Sequence, residues 1–192
     1  AGLDNLESDF NFLVVGQVTG YNAENDRKNL FYTVKWFSEV FNGMPDVGLV
    51  IKTNGARNTK IDLANCKNIF ESVLTELKYN GTPKFYMIHG DLTDEEMAGL
   101  YKHPKIKAFL SLTKGEGFGI PIIDAAAAGL PVIATDWSAH TEYLNLGKWI
   151  KVSATVDKIH PTRVDNQIFF ENFKWAYPKE QDAKIKMMKF YQ

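Results

Sequence analysis

The stretch Lys114-Gly115-Glu116-Gly117-Phe118-Gly119-Ile120-Pro121-Ile122-Ile123-Asp124-Ala125-Ala126-Ala127-Ala128-Gly129-Leu130-Pro131-Val132-Ile133-Ala134 places two carboxylates, a glycine turn and a helix start between two apolar runs. Upstream, Ile106-Lys107-Ala108-Phe109-Leu110-Ser111-Leu112 reads as an interior strand of a parallel sheet, because both faces of such a strand are apolar. Gly115, Gly117 and Gly119 permit backbone angles that a Cβ forbids and let amides approach a ligand closely. Pro121 suits the first position of a helix, where its missing N–H costs nothing. The amides of residues near 119 to 123 are therefore expected to point into the turn and to form an anion site at the positive end of the helix dipole. Gly129 and Pro131 stop the helix, and Leu130 to Thr135 begins the next buried strand.

Glu116 lies in the turn and Asp124 in what reads as the first turn of the helix, so both are expected to face the crevice beyond the carboxyl ends of the strands, where open α/β sheets bind ligands. A carboxylate repels a phosphate held by amides. Two acids beside such a site therefore point to hydroxyl ligands, as on a sugar and a ribose. Complementing the helix dipole is the alternative use of Asp124, and a solvated loop that of Glu116.

Working outward, Asn11 to Gly16 reads as a strand, and Arg27-Lys28-Asn29 opens a helix with Leu30, Val34, Phe37 and Phe41 at helical spacing. Val47 to Lys52 is a second strand. Asp62 reads as the cap of a helix with Leu63, Ile69, Phe70, Val73 and Leu77 inward. Lys84 to Gly90 is a third strand, and Thr93-Asp94-Glu95-Glu96 a capping box. His89, taken alone, is a structural histidine before it is a catalytic one. Strands alternating with helices predict an α/β, Rossmann-like doubly wound parallel sheet of about six strands with helices on both faces. Residues 1–9 read as linker, residues 10–192 as one domain.

Composition narrows the class. The 22 Lys and Arg balance 23 Asp and Glu, a net charge of −1 that carries no broad footprint for nucleic acid. The lone Cys66 rules out an intrachain disulfide and fits a reducing, cytoplasmic compartment. Lys179 to Lys189 alternates with apolar residues as an amphipathic helix does; docking on the domain is the first reading, peripheral membrane contact the second. No apolar run spans a bilayer, and the spacing of His, Cys and acidic residues suggests no metal-ligand cluster.

Glu116-Gly-Phe-Gly-Ile-Pro-Ile-Ile-Asp124, followed by Ala-Gly-Leu-Pro-Val-Ile-Ala-Thr, resembles the donor-site signature of GT-B retaining glycosyltransferases of family four, the glycosyl transferases group 1. The resemblance implies half of a GT-B fold, the C-terminal domain that binds a nucleotide-diphosphate sugar, working without metal or other cofactor. It assigns Glu116 as the catalytic residue on the sugar, and Gly117, Phe118, Gly119 and Ile120 as the loop holding sugar and diphosphate. Asp124, where relatives have Glu, takes the ribose hydroxyls. Lys28, with Arg27 as second candidate, binds the diphosphate; Gln17 stands where many relatives have Arg. Ile88, His89, Gly90 and Leu92 receive the base, and Thr113 lines the same donor site. Glu142, on a later helix, supports the glycine loop from behind, and Lys174 to Pro178 resembles the start of a late helix at about 174–192. Lys151 to Phe173 departs from the family and reads as an insertion over one face. An acceptor-binding N-terminal domain, in the same or another chain, is the implied partner, so the chain alone is expected to be inactive in transfer, as an excised or separately encoded donor half. The alternative is a catalytically inactive nucleotide-sugar binding or regulatory module; an epimerase, a phosphorylase and a receiver-like domain fit the glycine turn less well.

Overall fold

The computed structural model describes residues 3–19, 22–55 and 58–192. Strands and helices alternate in the order β1 (Phe10–Val15), α1 (Leu30–Val40), β2 (Val47–Thr53), α2 (Lys60–Glu76), β3 (Lys84–His89), α3 (Asp94–Tyr101), β4 (Ile106–Ser111), α4 (Ile120–Ala127), β5 (Val132–Thr135), α5 (His140–Leu144) and β6 (Ile150–Val152). These strands form one sheet in the order β3-β2-β1-β4-β5-β6, every pair parallel. The doubly wound sheet expected from the sequence is therefore present. Its strand order reverses between β1 and β4, and the crevice beyond their carboxyl ends is the topological switch point.

Alternation along β1 builds both layers. Phe12 and Val14 point into a core with Val34 and Phe37 of α1, while Leu13 points into the opposite one with Ile122 and Ala125 of α4. Phe12 is completely buried and meets Phe37 edge-on, ring centroids 5.4 Å apart, so truncation to Ala is expected to cost about 4 kcal/mol.

Beyond β6 the chain forms an antiparallel ribbon of β7 (Ala154–Lys158) and β8 (Lys174–Pro178), then α6 (Glu180–Tyr191). Lys174 to Pro178, read as the opening of a late helix, is thus a strand, and the helix begins two residues later. Ala183 and Met187 bury α6 in the core that holds α1, and the Tyr191 hydroxyl donates to Asp46 at 2.9 Å. The amphipathic segment 179–189 is a docked helix. No helix among the described residues is long and apolar enough to cross a membrane.

Local details depart from the sequence reading at four places. Thr59, not Asp62, caps α2: its hydroxyl accepts the Asp62 amide at 3.1 Å. Only Cys66 of α2 is fully buried, and the apolar residues expected inward are half-buried. Pro121 occupies the second position of α4, and Asp124 its second turn. Within the stretch read as linker, Leu6 packs into the core of α3 and α4, and the buried Ser8 hydroxyl donates to Asn11 at 2.6 Å; Ala1 and Gly2 lie outside the described residues.

Candidate functional site at the switch point of the sheet

Two segments meet at the switch point: the connection from β1 to α1 and the turn from β4 to α4. Asp26 organises the first. Its fully buried carboxylate accepts from the Leu30 amide at 2.6 Å, the Lys28 amide at 3.1 Å and the Thr19 hydroxyl at 3.0 Å. Asn29, at the cap position with φ 58°, makes no side-chain cap bond, so Asp26 serves as the anionic cap of α1. Burial raises the Asp26 carboxyl above its usual value, opposed by these hydrogen bonds and by the Lys114 charge.

Lys114 joins the two segments. Its buried ammonium donates to the carbonyls of Ala23 at 2.5 Å and Glu24 at 3.2 Å and lies 5.6 Å from the ring centroids of both Trp175 and Tyr177. Its amide donates to the Arg27 carbonyl, and its own carbonyl accepts from the Ala176 amide, each at 2.9 Å. Burial pushes its pKa down to about 8, against the pull of Asp26 and Glu24. The loop carrying Arg27 and Lys28 is thereby tied to the glycine turn and to β8.

That tie sets the central contact. Lys28 Nζ lies 2.7 and 2.9 Å from the two carboxylate oxygens of Glu116, and Arg27 Nη1 lies 3.3 Å from Oε2 while also donating to the Gly115 carbonyl. The Glu116 side chain is only 7% exposed. Burial alone would raise its carboxyl, but Lys28, then Arg27, with a Thr113 hydrogen bond, overcome this and hold it below the usual carboxylate range. The Ser138 hydroxyl fixes the backbone, accepting the Glu116 amide at 2.9 Å and donating to the Glu116 carbonyl at 2.7 Å.

The glycine turn requires glycine at one position. Gly119 sits at φ 82°, and a Cβ there would lie 2.8 Å from the Tyr143 hydroxyl, which itself lies 2.9 Å from the carbonyls of Phe118 and Gly119. A Cβ on Gly117 would meet nothing within 4 Å. The amides of Ile122 and Ile123 already donate to the Gly119 carbonyl, so they are not the free donors the sequence reading placed here. Among the described residues, the amides of Gly117, Phe118, Gly119 and Ile120 donate to no acceptor in the chain and are the ones available to an anion.

A cavity beyond β1 and β2 is lined by Gly16, Gln17, Arg27, Lys28, Lys52 and Pro121, among others. Three cations thus line one crevice. Lys52, near the end of β2, was not singled out from the sequence, although its place at a strand terminus beside a second strand end is a usable signal.

Other predicted residues are placed differently. Asp124 is exposed in the second turn of α4 and makes no contact with Glu116 or Lys28; burial, then the Glu116 charge and last that of Asp124, push the Tyr143 hydroxyl up to about 12. Phe118 and Ile120 are exposed, at 55% and 63%. The Thr113 hydroxyl is engaged within the turn, 3.2 Å from the Gly115 carbonyl and 3.3 Å from that of Arg27. Leu92 packs on the core of α3 and α4. His89 Nε2 lies 2.7 Å from Asp62 Oδ2. Glu142 is exposed and does not reach the glycine turn; its neighbour Tyr143 and Ser138 supply the support assigned to it, because their hydroxyls face the turn carbonyls. His140 is fully buried, with Nε2 2.7 Å from the Thr135 carbonyl, and burial lowers its pKa.

Residues 73–160 match the family model described as Glycosyl transferases group 1. The fold is that of one half of the GT-B architecture. Similar solved structures include one described as trehalose-6-phosphate from E. coli bound with UDP-2-fluoro glucose (TM-score 0.63, 9% identity, 95% of this chain and 36% of the other). Another is the C-terminal domain of the glycosyl transferase group 1 protein LpcC from Francisella tularensis (TM-score 0.58, 17% identity, 78% of this chain and 70% of the other). A third is the pneumococcal O-GlcNAc transferase GtfA in complex with UDP and GlcNAc (TM-score 0.55, 18% identity, 95% and 29%). The chain spans about a third of the first of these and less of the third. No curated protein matches.

Proposed function

We propose that the chain is the donor half of a retaining glycosyltransferase, binding a nucleotide-diphosphate sugar at the switch point while a separate N-terminal domain holds the acceptor. The observation that carries this reading is the meeting of Lys28, Arg27 and Glu116 beside the unpaired amides of Gly117 to Ile120. Arg27, Lys28 and Lys52 put positive charge where a departing diphosphate gains negative charge as the bond between phosphate oxygen and sugar breaks, a preorganised electrostatic role. The same cations serve without a metal ion. Glu116, ionised by its partners, is placed to accept from sugar hydroxyls and to stabilise positive character at the ring.

Asp124 is a ribose contact in this reading if the donor spans the mouth of α4, and Phe118 and Ile120 offer exposed apolar surface to the same ligand. Catalysis by the chain alone is not expected, and a cytoplasmic location is part of the same proposal.

Calorimetric titration with UDP, GDP, ADP and their sugar conjugates tests the reading. One nucleotide should bind selectively, more weakly to Lys28→Ala, and Glu116→Ala should affect mainly the sugar conjugate. Absence of binding by all of them would overturn it.

A further inference from the structure

We propose that Asp62, Cys66 and His89 form a binding site for one zinc-class divalent cation, on the same carboxyl edge of the sheet as the glycine turn but at the outer strand β3. Asp62 and Cys66 are one helical turn apart at the start of α2 and so share a face; His89 is the last residue of β3. A carboxylate oxygen, the cysteine sulfur and an imidazole nitrogen all lie within 4.8 Å of one another. A tetrahedral zinc ion with bonds of about 2.0 to 2.3 Å holds its ligand atoms roughly 3.3 to 3.8 Å apart. The cluster therefore needs only small side-chain adjustments, with the 2.7 Å contact between His89 and Asp62 opening by less than about 1 Å.

Oxygen, sulfur and nitrogen together suit a borderline-soft ion better than magnesium or calcium, which take oxygen ligands. The ligands sit on two ordered elements, and the Gly55 amide donates to Asp62 Oδ2 at 2.9 Å, the kind of outer contact that orients a metal-binding carboxylate. Cys66 is 1% exposed, whereas His89 lines an open cavity with Asn58, Thr59, Lys60 and Lys67, leaving a route for the ion and for a fourth ligand. Lys60 and Lys67 favour an anion or hydroxide in that fourth position. The competing account is a structural pair of Asp62 and His89 beside a buried core cysteine.

The two accounts differ in solution. Cobalt(II), a spectroscopic substitute for zinc, should bind the full chain with one-to-one stoichiometry, produce a thiolate-to-cobalt charge-transfer band and be displaced by zinc. Cys66→Ser should abolish the band. His89→Gln and Asp62→Asn, which keep size and hydrogen-bonding capacity, should each weaken binding by about tenfold or more with an unchanged circular dichroism spectrum. No band with the wild-type chain, a band that survives Cys66→Ser, or affinity indifferent to both His89→Gln and Asp62→Asn would overturn the site. The proposal does not rest on nucleotide binding, and its test reads the metal alone.

Discussion

The turn after β3 and the turn after β4 lead to helices of equal length, eight residues each, yet their N-termini are opposite in chemistry. At α3 the Thr93 hydroxyl accepts the Glu96 amide at 3.2 Å, the Glu96 carboxylate accepts the Thr93 amide at 2.8 Å, and Asp94, Glu95 and Glu96 fill the first turn. At α4 the cap is Gly119, which has no side chain to offer, and the first turn holds no acid. The first helix end is closed by its own sequence and would repel an anion. The second keeps amides and dipole open, beside three cations. A helix N-terminus becomes a ligand site when the sequence declines to satisfy it.

Gly119→Ala should break this contrast most severely. The left-handed backbone and the approach to the Tyr143 hydroxyl should cost about 2 kcal/mol, read as a lower melting temperature, and nucleotide affinity should fall on the order of a hundredfold. Unchanged affinity would mean that the turn is not the anion site.

Lys28→Ala leaves Glu116 buried with Arg27 as its remaining ion-pair partner and should cost about 2 kcal/mol, discounted for the partial exposure of the group. The pH dependence has a defined sign. The Glu116 carboxyl is lowered in the fold from an ordinary value of 4.5, so its pairing contributes fully above that value and is lost as pH falls through the folded one. Melting temperature measured down to about pH 3 should decline in the wild type and decline less in Glu116→Gln. Equal acid limbs would remove Glu116 from the account.

Thr93→Ala should cost about 1 kcal/mol by opening the closed helix end, with nucleotide binding untouched. Ile120→Asp performs the converse exchange, adding an acid to the open end at a residue that is 63% exposed. It should stabilise the chain by about 0.5 kcal/mol while weakening nucleotide binding several-fold. A variant that binds more tightly would contradict the polarity assigned to this turn.

The legible features are those written in short-range patterns. Apolar runs of strand length, glycine and proline at the turn, and Thr93 three residues before Glu96 each fix local backbone, and their alternation is enough for a doubly wound sheet. Even the helix of segment 179–189 could be read as docked, since its apolar positions need cover. The local reading failed where a residue's partner is distant. Asp62 looked like a cap, but Thr59 satisfies that helix end and frees the Asp62 carboxylate for Gly55 and His89. Glu142 looked like a support, but its position on α5 leaves it exposed while Ser138 and Tyr143 face the turn.

By itself the sequence determined the layer order, the open end of α4 and the residue types that surround it, because hydrophobic periodicity and turn chemistry act within a few residues. Only the tertiary structure decided that Lys28 meets Glu116 across 88 positions, that Lys114 ties three segments together, and that Asp62, Cys66 and His89 converge. Those contacts depend on which strand ends lie side by side, and that is set by the sheet order, a property of the whole core rather than of any one segment.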